Sequence, residues 1–472
     1  SRKKTMTVRP ASEGKFEFSV PVVIVGAGSC GLVAALAARD SGAEVLVLER
    51  DANPTGSTSL SAGLIPAAGT RFQREKGIDD SPEIFAADLN AKAKGKSDPA
   101  IVKAVAEASG QTIDWLADRH GVELHLVEGF YYPGHSRLRM HGPKNQTGAE
   151  LEHSLLAAAE RAGIDIITGA SVEDLYAKDD GTIVGVGFRR PNGEVETVGC
   201  DALVLACNGF GGNRAMVAKF IPEMAEAEYC GHSSNTGDAM NWGEALGAEL
   251  ADMGSYQGHG SVAYPHGLPL TWAVMTQGGF QVNLNGERFA NEMRGYSEHA
   301  EEVIKQPGHL AWNIYDERCE KPALAFHDYR EIIKLGAIKR AETIDELAAL
   351  TDLPVKALGR TMDEVKSYSA GDKPDPLGRD FSKQPALSAP YLAAKVNGAL
   401  FHTQGGLVID TETRVLKADG TPLPNLFAGG GAARGLSGPS SWGYMSGNGL
   451  LSATVLGRLA GLAAARLLAT PI

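Results

Sequence analysis

Three glycines, Gly26, Gly28 and Gly31, follow the apolar run Val22–Val25 and open a stretch rich in Ala and Leu; a second apolar run then ends at Glu49. The order is strand, G-x-G-x-x-G turn, helix, strand, acid, and it constrains the fold more than any other feature of the chain. It requires a parallel βαβ unit whose helix begins at the glycine turn. Gly26 permits the turn, Gly28 lets a pyrophosphate approach the backbone, and Gly31 lets helix and strand pack closely, with the helix N-terminus facing the phosphates. Glu49, 18 residues after Gly31, is placed to accept from a ribose hydroxyl. The segment therefore predicts a bound dinucleotide, and the fingerprint alone does not choose between FAD and NAD.

Composition narrows the class. The 472 residues allow about three domains, and 43% hydrophobic and 22% charged residues are ordinary for a globular protein. Glycine, 57 residues or about 12%, exceeds the usual level of about 7%. That excess suits tight turns and close approach of backbone to a ligand. The net charge of −12 argues against a nucleic-acid partner. The five cysteines are scattered, with no C-x-x-C pair, so no zinc ribbon, attached c-type haem or cysteine-rich iron–sulfur motif is present, and reduced thiols in the cytoplasm are expected. Glycines interrupt the apolar stretch Val20–Ala38 and Arg39 and Asp40 close it, so no membrane span is expected there.

Five further segments resemble, in order, landmarks of the fumarate reductase/succinate dehydrogenase flavoprotein superfamily. They are the serine-rich Thr55–Ile65, "ALVLACNGFGGN" at Ala202–Asn213, "NTGDAMNWGEALGA" at Asn235–Ala248, "HTQGGLVID" at His402–Asp410, and the block Leu426–Gly461. The resemblance implies FAD rather than NAD. It assigns cofactor contacts to Gly26, Gly28, Cys30, Gly31, Glu49, Arg50, Ser57, Thr58, Ser59, Ala62 and Gly63, then to Val172, Asn208, Gly209 and Asp238, and finally to Gly430, Gly447, Asn448, Leu450 and Leu451. No histidine lies between Glu49 and Thr70, where membrane-complex members of the superfamily attach FAD, so non-covalent FAD is expected. The implied architecture is α/β: a Rossmann-like FAD-binding domain built from both chain ends (residues 1–254 and 378–472), with an α+β capping domain inserted at 255–377. Within the insert, Asn285–Gly286 predicts a hairpin, and Thr343–Ser367 predicts two short amphipathic helices.

The same resemblance locates the chemistry. In fumarate reductases one arginine past "RFxNE" delivers a proton and another, near the C-terminal block, clamps a carboxylate. Here those positions hold Tyr296 and Tyr444, an arrangement similar to that of ketosteroid dehydrogenases. His402 occupies the superfamily's substrate-contacting histidine position, and Arg434 is the expected partner for a substrate carboxylate. The loop Gly129–Pro143, with Tyr131, Tyr132, His135, Arg137, Arg139 and His141, is a further candidate for the substrate mouth. The expectation is an oxidoreductase acting on a CH–CH bond that desaturates a small carbonyl-activated substrate. In it, the Tyr296 phenolate removes an α-proton and Tyr444 holds the ketone oxygen. A phenolate at neutral pH requires the hydroxyl's pKa to be depressed, with Arg294 and the helix start at Gly447 as candidate causes. The alternatives are reduction of a fumarate-like unsaturated carboxylate and a non-catalytic FAD carrier serving another protein. The electron partner is not specified by the sequence.

Overall fold

The computed structural model describes residues 7–469. Its first sheet has nine strands. Ser19–Val25 lies between Val45–Leu48 and the long strand Val195–Leu205, all parallel, and Asp165–Ile167 extends the edge. Val22 to Val25 point into fully covered layers, as a continuous apolar run in a parallel sheet must. The distal end of Val195–Leu205 also pairs with Pro422–Ala428, Leu203 opposite Leu426, which brings the C-terminal part of the chain beside the N-terminal part.

The two ends are fastened by helix on helix. Asn448–Ala469 packs along Ser29–Asp40. Side chains at Gly457 and Gly461 are excluded, since a Cβ would lie 2.6 Å from the Cys30 carbonyl oxygen and 2.2 Å from that of Ala34. Asn448–Ala469 is long and apolar enough to cross a membrane, yet 61% of its most apolar window is buried inside the fold. Its hydropathy is accounted for by this packing.

The second sheet has seven strands and is centred on Tyr391–Thr403, which pairs with Tyr256–Ala263 on one side and with Leu310–Asp316 on the other. The expected helix pair in the insert is present as Ile344–Thr351 and Val355–Ala370, the first capped by Thr343, which accepts from Glu346 N–H at 3.2 Å. The inserted sheet continues past residue 377, because its central strand comes from the return segment of the chain. That strand ends at the first sheet, where the Thr403 hydroxyl accepts from Phe210 N–H at 3.2 Å. It therefore carries His402 into the seam between the two sheets.

One local expectation changes. A tight turn forms at Asn283–Gly286, with Gly286 at φ +77°, but no second strand follows. Arg288 instead turns inward to pair with Glu292 at 2.6 Å and Asp375 at 3.0 Å. This buried network, joined by Arg379 at 3.3 Å from Glu292, braces the segment leading to Tyr296.

Candidate active site

A cleft of ≈800 Å³ opens at the ends of the parallel strands, where such sheets bind ligands. The glycine turn forms its floor. Gly26 has φ +110° and a Cβ there would sit 2.3 Å from the Ala206 carbonyl oxygen; at Gly31 it would sit 1.7 Å from that of Gly26. These two glycines are demanded by the fold itself. Gly28 is different. The nearest protein atom to its Cβ position is Thr58 Oγ1 at 3.5 Å, and the open space is the cleft. A glycine needed only where a ligand would lie is what a dinucleotide cradle requires. Glu49 is fixed at the rim, accepting from Ala27 N–H (2.7 Å) and Asp51 N–H (3.1 Å). Arg50 is tied to Asp238 at 2.6 Å and to the Ser234 carbonyl at 3.0 Å. Cys30, Ser57, Thr58, Val172, Asn208 and Gly430 complete this wall.

Six of the expected cofactor residues line neither this cleft nor the cavity beyond it: Gly31, Ser59, Gly63, Gly209, Asn448 and Leu451. Gly31 packs the helix on its strand. A Cβ at Gly63 would meet the Thr147 carbonyl oxygen at 2.7 Å, and one at Gly209 the Thr403 hydroxyl at 1.9 Å. Asn448 is turned to Ser437, donating at 3.1 Å, and Leu451 is fully buried in the core. Ser59 shares a helical turn with Ser57 and Thr58 but does not share their wall.

A larger cavity of ≈1250 Å³ continues from the cleft, sharing Ser57, Thr58, Asn208, Gly431 and Ala453 with it. Its walls include Tyr296, Tyr444 and His402 together with Ala62, Gly447 and Leu450. Tyr296 begins the helix Tyr296–Ile304 directly after Gly295, whose φ of +133° makes the sharp entry. The two tyrosine rings lie 6.2 Å apart, and the Tyr444 and Ser446 side chains adjoin the Tyr296 hydroxyl. The Tyr444 oxygen accepts from Gly449 N–H at 3.2 Å, so its own proton is free to go to Tyr296.

The electrostatics overturn the expected phenolate. Burial pushes the Tyr296 hydroxyl up to about 12, and Tyr444 goes well above the ordinary value for the same reason. Arg294 is exposed and offers its carbonyl to Lys92 at 2.7 Å, so it does not depress Tyr296. Tyr296 is a phenol at neutral pH.

Arg434 is a second correction. It pairs with Asp252 at 2.7 Å and does not line the cavity. The Gly129–Pro143 loop does not present its cations either. Arg139 is buried against Asp80 (2.8 Å) and Asp88 (2.5 Å), His141 bonds Thr70 (2.8 Å), and His135 bonds the Ser446 carbonyl (2.8 Å). No lysine or arginine lines the cavity among the described residues.

Two histidines present donors instead. Asn448 donates to the Ser437 hydroxyl (3.1 Å), which donates to Gln404 Oε1 (2.9 Å); this turns the Gln404 amide nitrogen toward His402 Nδ1 (3.2 Å). Desolvation lowers His402 to about 4, so the ring is neutral with its proton on Nε2. His259, not anticipated from the sequence, follows the same logic. Ser261 N–H donates to its Nδ1 at 3.0 Å, and burial lowers it to about 3. Its ring stacks on Tyr296, with centroids 4.5 Å apart and planes at 16°. The only sequence cue to His259 is a lone histidine between glycines in the strand Tyr256–Ala263.

A family model described as an FAD binding domain matches residues 21–450. The chain belongs to that family, the fumarate reductase/succinate dehydrogenase flavoproteins. It binds FAD and is an FAD-dependent oxidoreductase acting on CH–CH bonds. It is 30% identical over 450 residues to the cytochrome-type fumarate reductase of Shewanella frigidimarina, covering 95% of this chain and 77% of that one. It is also 30% identical over 484 residues to the urocanate reductase of Eggerthella lenta, covering 99% and 78%. Among solved structures, the open conformation of a flavocytochrome c3 fumarate reductase aligns with TM-score 0.79 at 29% identity, covering 97% of this chain and 80% of that one. The 3-ketosteroid-Δ4-(5α)-dehydrogenase of Rhodococcus jostii RHA1 aligns with TM-score 0.77 at 26% identity, covering 97% and 99%. The residues present fit the family's cofactor: Gly28 would leave room for the pyrophosphate, Glu49 would accept from a ribose hydroxyl, and the adjoining cavity would take the ring system.

Proposed function

We propose that this protein reduces the carbon–carbon double bond of a ring-containing molecule that bears no carboxylate and whose alkene is conjugated to a carbonyl group, with Tyr296 as the proton donor. The observation that carries this reading is that Tyr296 is buried as a protonated phenol in a cavity wall without a cationic side chain. A dicarboxylate buried here would lack a charge partner, at a cost of several kcal/mol. Relatives that carry the names fumarate reductase and urocanate reductase support the reductive direction.

Bound FAD, when reduced, supplies a hydride to the β-carbon. The chain's own residues do the rest. Tyr296 gives its proton to the α-carbon, and the phenolate left behind is held by hydrogen bonds from the Tyr444 and Ser446 side chains. His259 and His402 line the same cavity, and their Nε2–H groups are the donors that would stabilise the carbonyl oxygen as it gains enolate character. Both rings stay neutral, so they donate without becoming competing acids.

A second reading, desaturation of a cyclic ketone, draws on the tyrosine pair and on the likeness to the ketosteroid dehydrogenase. The two are separated anaerobically. Dithionite-reduced enzyme is mixed with 2-cyclohexen-1-one, 4-androstene-3,17-dione or fumarate, and the return of oxidised flavin absorbance is followed. Reoxidation by an enone but not by fumarate is expected. Reoxidation by fumarate alone rejects the proposal, and bleaching of the oxidised enzyme by a saturated ketone favours the second reading.

A further inference from the structure

Among the described residues Asp328 is the one carboxylate in the wall of the substrate cavity, and nothing in the chemistry above uses it. It lies in the first turn of the helix His327–Lys334, half-buried beside Phe326. Its carboxylate makes no ion pair or hydrogen bond with the described residues, and burial raises its pKa. A first-turn position is compatible with negative charge because of the helix dipole. That compatibility does not explain why the group borders an apolar cavity, where an unpaired carboxylate is costly.

The geometry between Asp328 and the reacting end is an aromatic wall. Tyr296, Tyr132 (centroids 6.2 Å apart) and Phe326, the neighbour of Asp328, line the cavity, and behind them Phe130 bridges Tyr132 (4.9 Å) and Phe326 (6.0 Å). A flat or ring-containing molecule that lies along this wall with its alkene at Tyr296 extends toward Asp328. We infer that the substrate carries a hydrogen-bond donor, a hydroxyl or an ammonium group, at the end remote from its alkene, and that Asp328 receives it. The inference rests on the proposed reading of the cavity. It also gives that cavity a selectivity: a carboxylate at the remote end of a ligand would meet Asp328 as a like charge, with no lysine or arginine in the cavity wall among the described residues.

The test uses oxidised, FAD-loaded enzyme and four 4-phenyl-3-buten-2-ones that differ only at the para position: hydroxymethyl, methoxymethyl, aminomethyl and carboxylate. Dissociation constants come from perturbation of the flavin spectrum, so turnover is not needed. The hydroxymethyl and aminomethyl probes should bind about tenfold tighter than the methoxymethyl probe, the scale of one charge-assisted hydrogen bond, and the carboxylate probe should bind weakest. Asp328→Leu should erase the ranking, whereas Asp328→Asn should keep the hydroxymethyl preference and lose the aminomethyl one. A larger loss for hydroxymethyl than for aminomethyl in Asp328→Leu would point to a hydroxyl-bearing substrate, and the reverse to an ammonium. Equal binding of all four probes, or a ranking unchanged in Asp328→Leu, overturns the inference alone. If no probe perturbs the flavin, the reading of the cavity as an enone site fails and the inference falls with it.

Discussion

The two lobes of the cleft are made of different material. The cofactor lobe is made of backbone: Gly26 and Gly31 sit where a single added carbon would come within 2.3 Å and 1.7 Å of a carbonyl oxygen. The substrate lobe is made of side chains delivered from far apart, with Tyr296 on a helix, His259 and His402 on neighbouring strands, and Tyr444 ahead of the last helix. A backbone-built site cannot be adjusted by degrees, since its geometry is the fold. A side-chain-built site can exchange arginine for tyrosine and change substrate while the scaffold stays. This difference accounts for a chain that keeps the family's cofactor cleft and departs from the fumarate reductase pattern at the reacting end.

The sharpest way to break the comparison is Gly28→Val. Gly28 is the cradle glycine with open space rather than protein above it. The variant should fold with a normal circular dichroism spectrum and purify colourless, a complete loss of FAD. Gly31→Ala should instead yield little soluble protein. A yellow, fully loaded Gly28→Val enzyme would mean that the pyrophosphate lies elsewhere. In wild type, acid precipitation should release all FAD into the supernatant, as expected of a non-covalent complex.

Next in size is Tyr296→Phe, which should keep FAD and slow reoxidation by an enone by roughly 100-fold or more, the usual scale for a lost acid or base. The pH profile decides the direction of proton transfer. A phenol at about 12 is a fully protonated donor from pH 5 to 9, and His259 at about 3 and His402 at about 4 are neutral throughout. The rate should therefore be flat across that window. If Tyr296 acted as a base, the rate would rise about tenfold per pH unit over the same range. Glu298, raised by burial to about 7 against the opposing charge of Lys92, borders this segment, so any shallow limb near neutrality should vanish in Glu298→Gln.

The two lobes were also unequally legible in the sequence. The glycine spacing and Glu49 could be read because a local pattern encodes a local conformation, whereas the joining of the two chain ends came from the family resemblance. Tyr296, Tyr444 and His402 were found only through their resemblance to family motifs, and they do meet in one cavity. Their protonation could not be read at all. It is set by burial, which depends on which distant segments cover them, and the expected help from Arg294 disappears once that side chain lies in solvent. Arg434 failed for a related reason: its partner, Asp252, is 182 positions away in sequence. His259 and Asp328 carried no motif; only the folded chain aligns them with the tyrosines.

The smallest expected effect tests the claim that the cofactor lobe is rigid at the cost of stability. Glu152 is 2% exposed, and neither of its carboxylate oxygens has a hydrogen-bond partner. Burial, reinforced by the charge of Glu49, raises it from 4.5 to about 9. The sign follows from proton binding. Below pH 4.5 the acid is protonated in the folded and unfolded chain alike, and the stability is intact. As pH climbs from 4.5 to 9 the unfolded chain ionises while the folded chain must hold the proton, so stability is progressively lost. Glu152→Gln removes that penalty while keeping the shape. At pH 8 it should raise the melting temperature by a few degrees, on the order of 2 kcal/mol, and near pH 4.5 the difference should close. A variant less stable than wild type at pH 8 would show instead that Glu152 is held as an anion by a cation or donor in the loaded protein. The cofactor lobe would then owe its stability in part to a side chain, and the contrast between the lobes would narrow.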